Sequence, residues 1–142
     1  MFLSVTKIAL RLSGCLLSYL SQQEAAAHPC QGHLVQNTLK SEVIFEGVGL
    51  HTGRNVRMVV KPAFANHGIW FRRTDIALGD RMIPALWDAV NRSPLCTKLE
   101  NASGVSVSTV EHLMAALAGC GIHNALIELN GPEVPILDGS SA

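Results

Sequence analysis

The chain has 142 residues, enough for one domain, and 48% of them are hydrophobic against 15% charged, which excludes a disordered polypeptide. Eleven basic residues balance eleven acidic ones, so no net field recruits nucleic acid or an anionic membrane. Cys15, Cys30, Cys96 and Cys120 form no Cys-x-x-Cys pair, a pattern that suits a reducing compartment better than a disulfide-stapled secreted domain.

Residues 1–36 read as an extension of unknown role. No acidic residue precedes Glu24, and Lys7 and Arg11 stand among Leu, Ile, Val and Ser. Ala25-Ala26-Ala27 resembles a signal-peptidase site and Leu12-Ser13-Gly14-Cys15 a lipoprotein box. Against export, the apolar stretch from Leu12 to Leu20 is interrupted by Ser13, Gly14, Ser18 and Tyr19. That stretch also falls far short of the roughly 20 apolar residues a spanning helix needs. An acid-poor, Arg-containing start is equally compatible with a transit peptide or an upstream extension. Met58 is the next methionine and lies too deep to be an alternative start.

From Asn37 onward the pattern is rich in strands. Leu39 to Phe45 predicts a first strand ending in the glycine-punctuated turn Gly47 to Gly53, with His51 at its tip. Val56, Met58 and Val60 alternate with Arg57 and predict a half-buried strand that Pro62 closes. Gly68 to Arg73 reads as a compact apolar strand. Ile83 to Val90 is ambiguous, because Pro84 blocks a central strand. Leu95 to Leu99 and Val105 to Ser108 flank a turn and predict a hairpin. Val110, Leu113, Met114 and Leu117 recur at helical spacing, and Gly119 and Gly121 supply a stop. Ala125 to Leu129 predicts a last strand. The fold class is therefore α+β: a two-layer sandwich of a mixed or antiparallel sheet with a helix packed on one face. Asp138-Gly139-Ser140-Ser141 carries N-cap chemistry and announces a further helix.

Chemistry concentrates at the helix start. Ser108 and Glu111 have the spacing of a capping box. His112 would sit in the first turn, where the helix dipole disfavours imidazolium, and a neutral imidazole is the metal-binding form. Glu111 beside it could take a proton from water activated by a metal. The plainer alternative leaves Glu111 as a cap and His112 as a surface histidine. Completing a zinc site needs about three protein ligands. No two of His28, His33, His51, His67, His112 and His123 are four residues apart, so no helical ligand pair is apparent.

Four segments in order carry a resemblance: Gly47-Val48-Gly49-Leu50-His51-Thr52-Gly53, Ser93-Pro94-Leu95-Cys96-Thr97, Ser108-Thr109-Val110-Glu111-His112-Leu113, and Gly131-Pro132-Glu133-Val134-Pro135-Ile136-Leu137-Asp138-Gly139-Ser140-Ser141. From about Leu39 to the last residue the chain resembles the N-terminal half of the UDP-3-O-acyl-N-acetylglucosamine deacetylase family, zinc amidases of lipid A biosynthesis. The resemblance implies that His112 is a zinc ligand and Glu111 the general base. It also implies supporting positions near the site for His51, Cys96 and Asp138. Read from residues alone, His51 is equally a turn residue, Cys96 a small buried hydrophobe and Asp138 turn chemistry. Arg54, Arg57, Lys61 and Arg72-Arg73 could serve a nucleotide diphosphate, although solvated surface is the commoner use of such groups.

By the same resemblance the cofactor is Zn2+, the substrate an acylated UDP-glucosamine, the protein a cytoplasmic monomer, and residues 37–142 the incomplete first domain of a two-domain enzyme. The family's other ligands belong to a His-Lys-x-x-Asp sequence in a second domain, and no His-Lys pair occurs here. Two further readings stand beside this one. One is a non-catalytic domain lacking most of the metal site; the other is a dehydratase-fused deacetylase with a hot-dog-fold domain downstream.

Overall fold

The computed structural model describes Ile8, Arg11 and Leu12, the backbone of residues 16–19, and residues 35–137. Its strands are β1 (Leu16–Tyr19), β2 (Gln36–Leu39), β3 (Val43–Val48), β4 (Asn55–Pro62), β5 (Ile69–Arg73), β6 (Met82–Pro84), β7 (Val90–Asn91), β8 (Lys98–Glu100), β9 (Ser106–Ser108) and β10 (Ala125–Leu129). Helix α1 spans Glu111–Gly119 and a 3₁₀ turn spans Trp87–Ala89. The class is α+β.

A five-stranded sheet in the order β3-β4-β10-β5-β6 forms the base. β10 lies at its centre, antiparallel to β4 and parallel to β5. Parallel neighbours need a long crossover, and here it contains β6, the small β7-β8-β9 sheet and α1. That crossover brings the start of α1 back over the sheet. β6 is an edge strand, which explains why Pro84 is tolerated in it.

Alternation decides which face is covered. Val56, Met58 and Val60 of β4, Phe71 of β5 and Ala125, Ile127 and Leu129 of β10 are buried. They form one apolar cluster with Val110, Leu113, Ala116 and Leu117 of the helix region. Each large side chain so buried contributes about 1.5–3 kcal/mol. Ile8 and Leu12, which are helical, are fully buried in the same cluster. Between them in sequence, Arg11 donates through Nη1 to the Ile44 carbonyl at 3.0 Å and lies over the Phe45 ring. β1 pairs with β2 in a separate antiparallel ribbon. Among the described residues no helix is long and apolar enough to cross a membrane.

The structure departs from the sequence expectations at three places. The strand expected from Leu39 to Phe45 is two strands, because Lys40, Ser41 and Glu42 are solvated and break it. Leu95 to Thr97 lie outside the hairpin, whose first arm begins at Lys98. Most consequentially, Ser108 and Glu111 make no capping box. The helix begins at Glu111 itself, Val110 occupies the cap position, and no side chain caps it. Ser108 is instead drawn sideways, donating from both N–H and Oγ to the Pro132 carbonyl. The helix end is as local sequence dictates: Gly121 adopts φ 65°, its N–H bonds Ala118, and Ile122 N–H bonds Leu117 in a Schellman closure.

Candidate active site

Glu111 opens α1, so its carboxylate reaches away from the helix toward the loop after β7. Oε2 accepts the Thr97 N–H at 3.1 Å. The Val110 N–H in turn bonds the Thr97 carbonyl, tying the Cys96 segment to the helix start. Oε1 is buried and has no hydrogen-bond partner among the described residues. A buried carboxylate oxygen without a donor is costly and marks strain, an absent water or ion, or chemistry.

His112 is buried on the inner side of the first helical turn. Its Nε2 lies 3.1 Å from the Pro135 carbonyl. A carbonyl can only accept, so Nε2 carries the proton and the neutral ring's lone pair belongs to Nδ1. Burial pushes the His112 pKa below the ordinary histidine value, against the opposing pull of the Pro135 bond and the nearby charges of Glu111 and Glu133. Sequence reasoning expected a neutral imidazole from the helix dipole; in the structure desolvation is the leading cause. A ligating histidine typically donates its second N–H to a carbonyl in this way.

The loop of residues 131–137 is strung between two elements. Val134 N–H bonds the Ser108 carbonyl on one side, while Ile136 N–H bonds Val48 on the other. Glu133, fully buried, fastens that loop to both of the other segments. Its Oε1 accepts from Thr109 Oγ1 at 2.8 Å and from His51 N–H at 3.0 Å; Oε2 accepts from Thr52 N–H at 2.9 Å. Desolvation alone would raise its pKa, but the His51 and Thr52 N–H groups and the threonine hydroxyls overcome it and hold the carboxyl below the usual range. Gly49 is required beside it, because a Cβ there would collide with Glu133 Oε2 and Thr52 Oγ1. Thr109, with φ 58°, takes a left-handed conformation that a β-branched residue rarely adopts.

The structure thus draws the four singled-out segments together around the start of α1. His51 is exposed at the turn tip and enters the network through its backbone N–H. Cys96 is half-buried with its Sγ 3.4 Å from Ser93 Oγ, and its neighbour Leu95 is exposed. The segment is a loop beside Glu111, and Cys96 is only partly buried where residues alone suggested a small buried hydrophobe. Asp138 lies outside the described residues, as do Cys15, Cys30, His28 and His33. His67 and His123 serve the far side, His123 Nδ1 accepting the Asn37 N–H at 3.1 Å. Glu133 escaped the sequence reading. The available signal was a lone acid flanked by Pro132 and Val134 in an otherwise apolar loop.

Among the described residues no group of three or more His, Cys, Asp or Glu side chains gathers to hold a metal. One neutral imidazole with an unpartnered buried carboxylate oxygen beside it fits a share of a metal centre, not a whole one.

Residues 36–142 match the family model described as UDP-3-O-acyl N-acetylglycosamine deacetylase. The chain belongs to this family. Curated relatives named UDP-3-O-acyl-N-acetylglucosamine deacetylase include one from Phenylobacterium zucineum, 49% identical over 108 residues, covering 76% of this chain and 37% of the relative. One from Shewanella pealeana is 50% identical over 109 residues, 77% of this chain and 35% of the relative. One from Vibrio cholerae serotype O1 is 53% identical over 107 residues, 75% of this chain and 35% of the relative. The chain therefore spans a little over a third of the length of these deacetylase-family relatives.

Proposed function

We propose that residues 37–142 form the first domain of a cytoplasmic, zinc-dependent deacetylase that hydrolyses the acetamide of a UDP-3-O-acyl-N-acetylglucosamine in lipid A biosynthesis. The carrying observation is the Glu111–His112 pair, with a buried unpartnered oxygen on one residue and a desolvated, carbonyl-anchored imidazole on the other. In this reading His112 supplies one of the zinc ligands through Nδ1, its tautomer held by the Pro135 carbonyl. The bound zinc would supply Lewis acidity, polarising the acetamide carbonyl and making water a better nucleophile near neutral pH.

Glu111 handles the proton. Oε2 stays on the Thr97 N–H, which fixes the carboxylate plane, and Oε1 receives the proton of the attacking water. The water oxygen bonds to the acetamide carbon, the carbon–nitrogen bond breaks, and the proton passes from Glu111 to the departing nitrogen. The free glucosamine amine and acetic acid result, and the acid releases its remaining proton to become acetate. Thr97 thereby couples the Cys96 loop to the base, which supports a position at the edge of the site for Cys96. His51 and Asp138 are proposed as supporting polar groups from the family resemblance.

In this reading His112 is one ligand, and since no group of three or more His, Cys, Asp or Glu gathers among the described residues, the other ligands that a catalytic centre takes lie outside them. On this ground the 142 residues expressed alone are expected to bind little zinc and to release no acetate. The same observation favours the second reading, a domain without its own catalysis. Two measurements separate them. The coding DNA beyond Ala142 should continue in frame into a His-Lys-x-x-Asp sequence, and the protein carrying it should deacetylate the substrate, lose that activity to a chelator and regain it with zinc. A frame that closes at once, with no acetate released by any preparation, would leave only the non-catalytic reading.

A further inference from the structure

Among the described residues Glu133 is the one acid that is fully buried. Among the described residues it makes no ion pair with Lys or Arg, although Glu46, Asp75, Glu100 and Glu128 all do. Its partners are neutral donors from the two segments that flank the proposed chemistry: His51 N–H, approached by both oxygens, the Thr52 N–H and hydroxyl, and Thr109 Oγ1.

We infer that Glu133 is a positioning residue that locks the His51 turn to the lead-in of the Glu111–His112 helix. It does so without touching a reactant, and the inference rests on the deacetylase reading of that helix. Three observations converge. Thr109 sits two residues before Glu111 in a left-handed conformation, and its hydroxyl is held by Glu133 at 2.8 Å. Such a conformation persists only where the surroundings over-determine it. The backbone of Glu133 pairs alongside Ser108, and two residues further on Pro135 receives the His112 Nε2–H. One residue therefore sets both the entry to the helix and the anchor of the imidazole. The third observation is Gly49, whose missing side chain lets the turn close onto the carboxylate.

Neutral donors suit this task. A cation would balance the charge from many directions, whereas the His51 and Thr52 N–H groups and the threonine hydroxyls fix both oxygens in place. Glu133→Gln keeps the shape but puts an NH₂ where one oxygen faced donors. The Thr109 hydroxyl can reverse and accept from that NH₂, so the lock survives only as weaker, uncharged bonds in which Thr109 no longer donates.

The test uses the zinc-loaded full-length protein, these 142 residues together with the part that supplies the remaining ligands, in four forms: wild type, Glu133→Gln, Thr109→Val and Thr109→Ser. Turnover, KM for the acyl-UDP-glucosamine and melting temperature are measured together with the imidazole ¹H–¹⁵N signals of His51 and His112. Changes in groups that orient a ligand typically cost about 10–100-fold. Glu133→Gln should lower kcat by that factor with KM little changed, Thr109→Val should lower it less, and Thr109→Ser should restore it. A purely structural residue would lower the melting temperature and leave the turnover of folded protein at the wild-type level, and that outcome overturns the inference. Should Glu133→Gln fail to fold, the two Thr109 variants decide. Absence of deacetylation by wild type would sink the deacetylase reading separately. The locking claim then stands if the His112 signals move in Thr109→Val and return in Thr109→Ser, and falls if they do not.

Discussion

Glu128 and Glu133 are five residues apart and solve the same problem in opposite ways. Glu128, on the second face of β10, sits between Lys61 at 3.0 Å and Arg72, whose side chains are 33% and 40% exposed. Its charge is balanced by partners that can turn to water if it is lost. Glu133 is fully buried against neutral donors, the buried Thr109 hydroxyl and backbone N–H groups fixed by the turn. Glu128 itself is only 12% exposed, but its cations are open to water, and ion pairs screened in this way tolerate loose geometry and contribute little. A carboxylate sewn into backbone N–H groups sets geometry and is expensive to disturb. The edge proposed for the chemistry is built in the second way.

That contrast is sharpest where chemistry and stability separate. Glu111→Gln keeps an oxygen for the Thr97 N–H but cannot take a proton, so turnover should fall by about 10²–10⁴ while the melting temperature stays near that of wild type. Loss of stability with normal turnover would reduce Glu111 to a strut for the Cys96 loop. Next in size, His112→Ala should cost the full-length protein tenfold to hundredfold or more in zinc affinity or activity, judged from the smaller changes that second partners already produce. Metal content and turnover that both match wild type would remove His112 from the ligand set.

On stability alone, Gly49→Ala should destabilise by roughly 1–3 kcal/mol, the usual range for overpacking, because the added methyl meets Glu133 and Thr52. Denaturant unfolding measures it, and a neutral result would mean the turn can retreat from Glu133. Asp75 offers a pH-dependent case. The Arg73 guanidinium, bonded to both carboxylate oxygens, holds its pKa below the ordinary 3.8. A depressed carboxylate adds stability above its unfolded pKa and loses it as pH falls through the folded one. The destabilisation by Asp75→Asn should therefore be complete at neutral pH and vanish in acid. A difference that persists unchanged at low pH would assign the effect to something other than the charge. Smallest of all, Glu128→Gln should shift stability by under about 1 kcal/mol. A loss as large as that of Gly49→Ala would erase the contrast between the two faces.

Local sequence was sufficient wherever a pattern acts within a few residues. The alternation of Val56, Met58 and Val60 marked the covered face of β4, and the Gly121 stop ended α1 where its left-handed conformation permits the Schellman bonds. Ala125 to Leu129 formed the strand expected of it. Reasoning of the same local kind failed at Ser108, whose spacing to Glu111 matched a capping box. A partner distant in sequence, the Pro132 carbonyl, took its hydrogen bonds instead. Likewise the polar break at Lys40 to Glu42 outweighed the apolar residues on either side.

The order of the four segments and the residue types at the helix start belong to the sequence by itself, since family membership needs only their identity and spacing. So does the prospect of an imidazole and a carboxylate adjoining at one helix end. The tertiary structure alone decided that Glu111 meets Thr97 and leaves one oxygen unpartnered among the described residues, and that burial pushes the His112 pKa down. It also decided that Glu133 binds a turn 81 and 82 residues away. No periodicity encodes a contact of that span. It arises when a crossover carries the chain from β5 back to β10 and presses loops from three places onto one buried carboxylate, where only groups able to satisfy its charge can remain.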